Sequence, residues 1–232
     1  MTIEEAIYDI IEIKDAFGDD SDLDEMFLLQ KLNSYRALLI NAQYQLTAHI
    51  DYTWLQRHPQ FIWEKVTAAD DPHVTNSSIT LGKYKLPKIV SLPEDLGLYQ
   101  VMGSGAIRLY SKDDLAVMLM RAEIQEERHP RHGYYSKVGD VIYSFPYEMY
   151  GQAILIAENP MDVPMIENNV QRSLTFADEY PADPAIIQQC ILQILTKDLK
   201  ISDEAVSDII NDSQEQLKIM KDVAKQNAGS GG

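Results

Sequence analysis

The stretch "DEYPADPAIIQQCILQILTKDLK" spans residues Asp178–Lys200. Asp183 followed by Pro184 is a helix-start signal. The carboxylate can accept from amides of the first turn, and proline suits the first helical position because it lacks an N–H that would go unpaired there. Ile187, Cys190, Ile191, Ile194 and Leu195 then recur at helical spacing and form one apolar face. An amphipathic helix of this kind must find cover, and the covering surface sets the fold class.

Working outward, the following residues repeat the pattern. Ser202 or Asp203 is expected to start a last helix carrying Val206, Ile209, Ile210, Leu217 and Met220. The other end of the chain is similar. Ile3, Ile7, Ile10 and Ile11 recur at helical spacing, and Gly18 with its acidic neighbours ends that run. Ser21 or Asp22 is expected to cap a second, long helix from about Asp22 to His49, with Glu25 in its first turn favouring the helix dipole. Its expected apolar stripe is Leu28, Leu32, Tyr35, Leu39 and Leu46.

The middle of the chain reads as strands. Phe61–Val66, Ile79–Leu86, Leu98–Met102 and Ala106–Tyr110 are short runs rich in β-branched and aromatic residues, the last two meeting across Gly103-Ser104-Gly105. Asp113–Glu127 reads as a helix. Tyr134–Lys137 and Val141–Phe145 form a hairpin through Val138-Gly139-Asp140, and Ala153–Ala157 is a last apolar strand. The expected fold is therefore α+β, a terminal α-helical bundle with a β-rich middle insertion. Its segments are a first helical part (1–57), a β-rich middle (58–157), a second helical part (158–226) and a flexible tail (227–232) ending in Gly229-Ser230-Gly231-Gly232.

Charge follows the same division. The net charge is −16, distributed as −7, −2 and −7 over residues 1–57, 58–157 and 158–232. So acidic a chain is ill suited to gripping phosphates over a general surface, which needs Lys and Arg to displace counterions. Hydrophobic residues make up 45%, which argues against wholesale disorder. The single cysteine excludes an intramolecular disulfide and a Cys-rich zinc site. The acidic start MTIEEAIYDI is unlike a signal peptide, and no apolar run approaches the roughly 20 residues of a membrane helix. The expectation is a soluble, non-secreted protein.

Candidate chemistry is sparse. His129-Pro130-Arg131-His132 is the densest set of possible ligands, but the intervening proline breaks the one-face helical pairing of a metal site, and a solvated loop is the expected reading. Gly103-Ser104-Gly105 lacks the Lys-Ser/Thr of a phosphate loop and reads as a turn. Cys190 has no activating histidine nearby in sequence and lies on an apolar helix face, so it is expected to be a small buried hydrophobe. No catalytic residue, metal or cofactor is expected. Lys83, Lys85 and Lys88 flank a strand, and they with Arg128 and Arg131 are the expected subunit-interface residues: copies of an acidic protein need some positive surface to pack.

Several stretches taken in order, "DEMFLLQKLNSYRALLINAQYQ" (24–45), "LPKIVSLPEDLGLYQVMGSG" (86–105), "GDVIYSFP" (139–146), "ADEYPADPAIIQQCILQILTKDL" (177–199) and "DEAVSDIINDSQEQLK" (203–218), resemble the head-to-tail connector proteins of short-tailed bacteriophages, nearest to the neck ring proteins of crAss-like phages. A broader likeness is to adaptors of the tail tubular protein A type. The resemblance implies a structural, non-enzymatic virion protein. Terminal helices would form a bundle around a β-rich domain, and copies would form a homo-oligomeric ring, typically dodecameric. Its partners would be the portal and tail proteins, with genomic DNA passing through the lumen without specific binding. The place of action would be the virion neck or tail, after assembly in the host cytoplasm. The alternative expectation is a helical adaptor or scaffold that binds another protein; an enzyme comes third.

Overall fold

The computed structural model describes residues 1–16, 23–75, 79–104, 108–111, 115–126, 133–167 and 170–201. Their order is α1 (Ile3–Ala16), α2 (Glu25–Thr47), β1 (Gln56–Ile62), β2 (Glu64–Val66), β3 (Leu81–Lys85), β4 (Leu98–Met102), β5 (Arg108–Ser111), α3 (Leu115–Glu126), β6 (Gly133–Val138), β7 (Val141–Phe145), β8 (Tyr150–Leu155), β9 (Met165–Glu167), β10 (Val170–Arg172) and α4 (Pro184–Gln193). The chain is α+β, as its periodicities imply. The expected cap at Ser21 or Asp22, the histidine pair, and the last helix and tail beyond Ile201 lie outside the described residues, as does Gly105 of the expected turn.

The starts of α1, α2 and α4 each have a local cause. At α1 a capping box forms: the Glu5 amide donates to Thr2 Oγ1 at 3.1 Å and the Thr2 amide donates to Glu5 Oε2 at 2.8 Å. At α2 the cap is Asp24, two residues beyond Asp22; its Oδ1 accepts from the Met26 amide at 3.0 Å. That helix ends at Ala48, whose left-handed φ of 50° turns its N–H back to the Tyr44 carbonyl. At α4 the expected signal operates as read: Asp183 Oδ1 accepts from the amides of Ala185 and Ile186 at 2.9 and 3.0 Å, with Pro184 in the first turn.

The helices α1, α2 and α4, from the two ends of the sequence, share one core. Ile3, Ile10, Leu28, Leu32, Ile187 and Ile194 are among its buried members. Burial at ~25 cal/mol per Å² of apolar surface makes this contact the main force joining the two ends. On α2 the buried positions are Leu28, Leu29, Leu32, Asn33, Arg36 and Ile40, and of these Leu28, Leu32, Arg36 and Ile40 follow one another at four-residue steps. The stripe therefore runs slightly differently from that expected: Tyr35 and Leu39 are half-buried, and Leu46 is exposed. Beyond α4 the chain continues as a π-helical turn, Ile194–Asp198. Asp198 is fixed there by Lys31 at 2.5 Å and Tyr35 at 2.9 Å.

Cys190 is wholly buried in this core, and burial pushes its thiol pKa up to about 12. The thiolate is the reactive form, so native Cys190 should stay unlabelled by an aromatic disulfide reagent near pH 8 over hours and react within minutes once denatured. Rapid stoichiometric labelling of the folded protein would contradict that placement.

The strands make an eight-stranded sheet ordered β1-β8-β4-β5-β6-β7-β3-β2. Neighbours are antiparallel except β5 and β6, a parallel pair linked by α3, as parallel pairs require a crossover. The expected hairpin of β6 and β7 is present, Val138 facing Val141. The margins β1 and β2 are separated in the chain by Trp63 alone. One extended segment, 56–66, thus pairs with β8 at one end and with β3 at the other, so the sheet closes on itself through the main chain. Trp63 also donates its amide to the Met149 carbonyl at 3.0 Å.

Aromatic packing fills this seam. Phe61 stacks on Tyr84 with centroids 3.9 Å apart, and Trp63 meets Phe61 edge-on at 5.0 Å. Gly82 and Gly151 make the room: a Cβ at Gly82 would lie 2.5 Å from Ser144 Oγ and 3.1 Å from Trp63, and one at Gly151 would lie 2.5 Å from Phe61 and from Trp63 Nε1. On the outer face, Leu115, Met118 and Leu119 of α3 cover the sheet at Tyr143 and Phe145. The β9–β10 hairpin follows the sheet; its strands have three residues each, too short for sequence alternation to reveal.

A turn after β10 anchors the N-terminus. The amides of Ile3 and Glu4 donate to the carbonyls of Asp178 and Phe176, and the Tyr180 amide donates to the Met1 carbonyl. Arg172 holds both Asp178 carboxylate oxygens, at 2.7 and 2.6 Å, and also Glu167 at 2.5 Å. Hydrogen bonds from Arg172, then from the Thr175 amide and hydroxyl, depress the Asp178 pKa well below the usual carboxylate range. A carboxyl lowered on folding contributes stability that is fully present above its unfolded pKa, about 4, and is lost as pH falls from there towards the folded value. Asp178→Asn removes that contribution at neutral pH. Its Tm should therefore be lower than wild type at about pH 6, with the gap narrowing towards about pH 3. A gap constant across that range would contradict the assigned role of the carboxylate.

Candidate functional site

Among the described residues, no group of three or more His, Cys, Asp and Glu side chains is placed to hold a metal ion. No helix among them is long and apolar enough to cross a membrane. The polar features that do stand out are a buried arginine, a buried carboxylate with its lysine, and a pair of exposed lysines.

Arg36 is wholly buried on α2 and donates to three backbone carbonyls: Pro181 O at 2.7 Å, Ala157 O at 2.8 Å and Trp54 O at 3.3 Å. These carbonyls belong to the segment before α4, the stretch just past β8, and the turn before β1. One guanidinium thus ties the helical core to the sheet, and its planar fork of donors suits three separate acceptors. The Tyr180 ring lies 5.7 Å from its centre. Burial pulls the Arg36 pKa below its ordinary value, while Tyr180 and Cys190 push the other way. Beside it, the Tyr180 hydroxyl donates to Asn33 Oδ1 at 2.8 Å, and Asn33 Nδ2 donates to Asn159 Oδ1 at 2.9 Å. The Trp54 indole N–H meets the second oxygen of the helix cap Asp183 at 3.3 Å.

Of the sequence-derived interface residues, Lys83 is engaged within its own chain. Its Nζ donates to Asp71 Oδ2 at 2.6 Å, and the Tyr143 hydroxyl donates to the same oxygen at 3.0 Å. Burial opposes ionisation of Asp71, but these bonds, the His73 amide and the charge of Lys83 outweigh it and hold the pKa low. Burial, with the Asp71 carboxylate, in turn raises Tyr143 to about 12. Glu64 faces Lys83 across the β2–β3 ladder. Lys85, on the same face of β3, and Lys88, just past its end, are exposed and make no ion pair among the described residues. Arg128 and Arg131 lie outside the described residues. Among the described residues of that set, Lys85 and Lys88 are therefore without an ion pair, while Lys83 has one within its own chain.

Two open clefts flank the helical core. One, of about 680 Å³, runs along α2 past Met26, Phe27, Gln30 and Ser34 to Asn159. The other, of about 530 Å³, lies between β1 and β9 beside Pro59, Met165 and Ile166. Neither brings together a nucleophile and a base.

Sequence reasoning passed over Arg36, Asp71 and Tyr143. Arg36 had a signal: it falls in a four-residue series with Leu28, Leu32 and Ile40, where a cation must be buried if the stripe is. Asp71 and Tyr143 had none, since their meeting depends on long-range strand pairing. Compared with models of known protein families, the chain matches none, and no significant match to a curated protein was found either.

Proposed function

We propose that this chain is a virion structural protein, a head-to-tail connector of the neck-ring kind that joins portal to tail. Copies assemble in the host cytoplasm into a closed homo-oligomeric ring, dodecameric by the likeness drawn from sequence, and the genome is packaged, retained and ejected through the lumen. The observation that carries this reading is architectural. Helices from the two ends of the chain share one core and residues between them build the sheet, which supports the arrangement that the resemblance implies. The charge of −16 is consistent with it, because a negative bore repels phosphate and lets duplex slide.

Electron microscopy of the purified protein is the direct test: closed rings are expected, and monomers at all concentrations would overturn the proposal. In gel-shift titration, duplex DNA should bind more weakly than micromolar at physiological salt; tighter binding would replace the sliding channel with a DNA-gripping protein. Lys85→Glu with Lys88→Glu should weaken assembly while leaving Tm within a few degrees, since neither lysine has an ion pair to lose among the described residues.

A further inference from the structure

β1 carries a bulge. Its register against β8 runs from His58 opposite Ala153 to Phe61 opposite Gly151, so β1 uses one residue more than β8 over that step. Side chains alternate along a strand, and a spacing of three would set His58 and Phe61 on opposite faces. The extra residue re-aims them, and both are buried, His58 with 5% exposure. It is the one buried histidine among the described residues. Its ring stands within the seam beside Phe61 and Tyr84, with centroids 5.4 and 5.7 Å away.

Hydrogen bonds fix its tautomer. The Pro59 carbonyl can only accept, so Nδ1 holds the proton, 3.0 Å from that oxygen, and Nε2 accepts from the Tyr84 hydroxyl at 3.3 Å. The neutral ring thus has a partner at each nitrogen. A second proton would fall on Nε2 and turn the Tyr84 hydroxyl from donor to acceptor, and the proton it then turns away meets no acceptor among the described residues. The new charge would also stand alone. Tyr84 is the titratable group that touches the ring. Arg57 lies on the other face of β1, bonded to Gln152; Lys83 and Lys85 lie on the other face of β3; β8 presents Ala153. The Glu167 carboxylate of β9 is held by Arg172. No carboxylate pairs with His58 among the described residues. Burial accordingly pulls the imidazole pKa below its ordinary value, with the Pro59 carbonyl opposing.

We propose that His58 is an acid-sensitive latch on the seam: neutral, it lets segment 56–66 bridge β8 and β3; charged, it parts the β1–β8 side of the sheet while the helical core stays closed. The break falls here because the bulge and Pro59, which has no N–H to donate, already interrupt the ladder. A histidine whose pKa falls on folding leaves the closed form untouched above its unfolded value, about 6.5. Below that value it weakens the closed form as pH drops, raising the ratio of open to closed seam by as much as about tenfold per pH unit. The Asp178 carboxylate acts in a lower window, below about pH 4. The latch does not depend on the ring reading.

The chain has two tryptophans, and each region holds one: Trp63 in the seam and Trp54 in the helical core. The test follows the full chain, labelled with 5-fluorotryptophan, by fluorine NMR from about pH 7.5 to about pH 5, with Trp63→Phe assigning the two signals. The Trp63 signal should shift or broaden with a midpoint below the ordinary histidine pKa while that of Trp54 holds. In His58→Gln, which cannot take the charge, the Trp63 signal should hold as well. A Trp63 signal constant with pH in wild type would overturn the latch, as would a change that persists in His58→Gln. Both signals changing together would also overturn it, because acid would then unfold the whole chain. Should His58→Gln fail to fold, the imidazole protons of wild type serve instead: one histidine should titrate in step with the Trp63 signal, and the absence of any that does would overturn the proposal.

Discussion

Replacing Arg36 with methionine is expected to lower the unfolding free energy by about 3 kcal/mol or more, the largest loss from any substitution of similar volume considered in this chain. Methionine keeps much of the apolar stem but gives no donor to the carbonyls of Trp54, Ala157 and Pro181. The Trp54 and Ala157 carbonyls are buried and that of Pro181 partly so, around a residue with no exposure; water cannot readily replace the guanidinium, and each orphaned buried polar group costs about 1–3 kcal/mol. Arg36→Lys should be intermediate. Its charge is retained, but a point-like ammonium does not reproduce a planar fork. Urea unfolding followed by tryptophan fluorescence measures both variants. A methionine variant as stable as wild type would mean that the arginine is accommodated rather than required.

The second large effect concerns the sheet seam. Trp63→Ala should cost about 3–5 kcal/mol, the range for deleting a large buried aromatic side chain. The residue is 1% exposed, and the glycines at 82 and 151 leave room for it together with Ser144 and Phe61. Its indole N–H has no hydrogen-bond partner among the described residues. Removing that polar group is therefore no loss, and Trp63→Phe should recover a good part of the stability. If Trp63→Phe proves as damaging as Trp63→Ala, the N–H has a partner and the packing account fails.

The contrast between these two residues shows what the sequence made legible. Local rules were readable: Asp183-Pro184 starts α4 as read, Cys190 is buried as its neighbours on the helix face imply, and Gly139-Asp140 turns the β6–β7 chain. These depend on contacts within a few residues. The sheet's closure was not readable, because alternation marks a strand without naming its partner. Gln56 pairs with Leu155, and no local feature of either records the other. The same holds for Lys83. On the page of the sequence it is a surface cation, and only the fold brings Asp71 to it, 12 positions away and across a turn. The exposure of Leu46 follows from helix geometry: a stripe set by Leu28, Leu32 and Ile40 has drifted off that residue by the last turn of α2.

The continuity of segment 56–66 has a bearing on how the chain reaches this state. Its first strand is made early in synthesis, yet its partner β8 arrives only after the rest of the sheet has been translated. Until then the segment can meet β3 but has no partner for its β1 half, and the loop to be closed there spans most of the sheet's own length. Contacts so distant in sequence slow folding. The helical core suffers the same delay, since α1 and α2 wait for α4. Nascent chains stalled before residue 150 should consequently be protease-sensitive throughout, and those extended past α4 should acquire protection of sheet and helices together: the two ends and the seam ripen in a single late event rather than in the order they emerge.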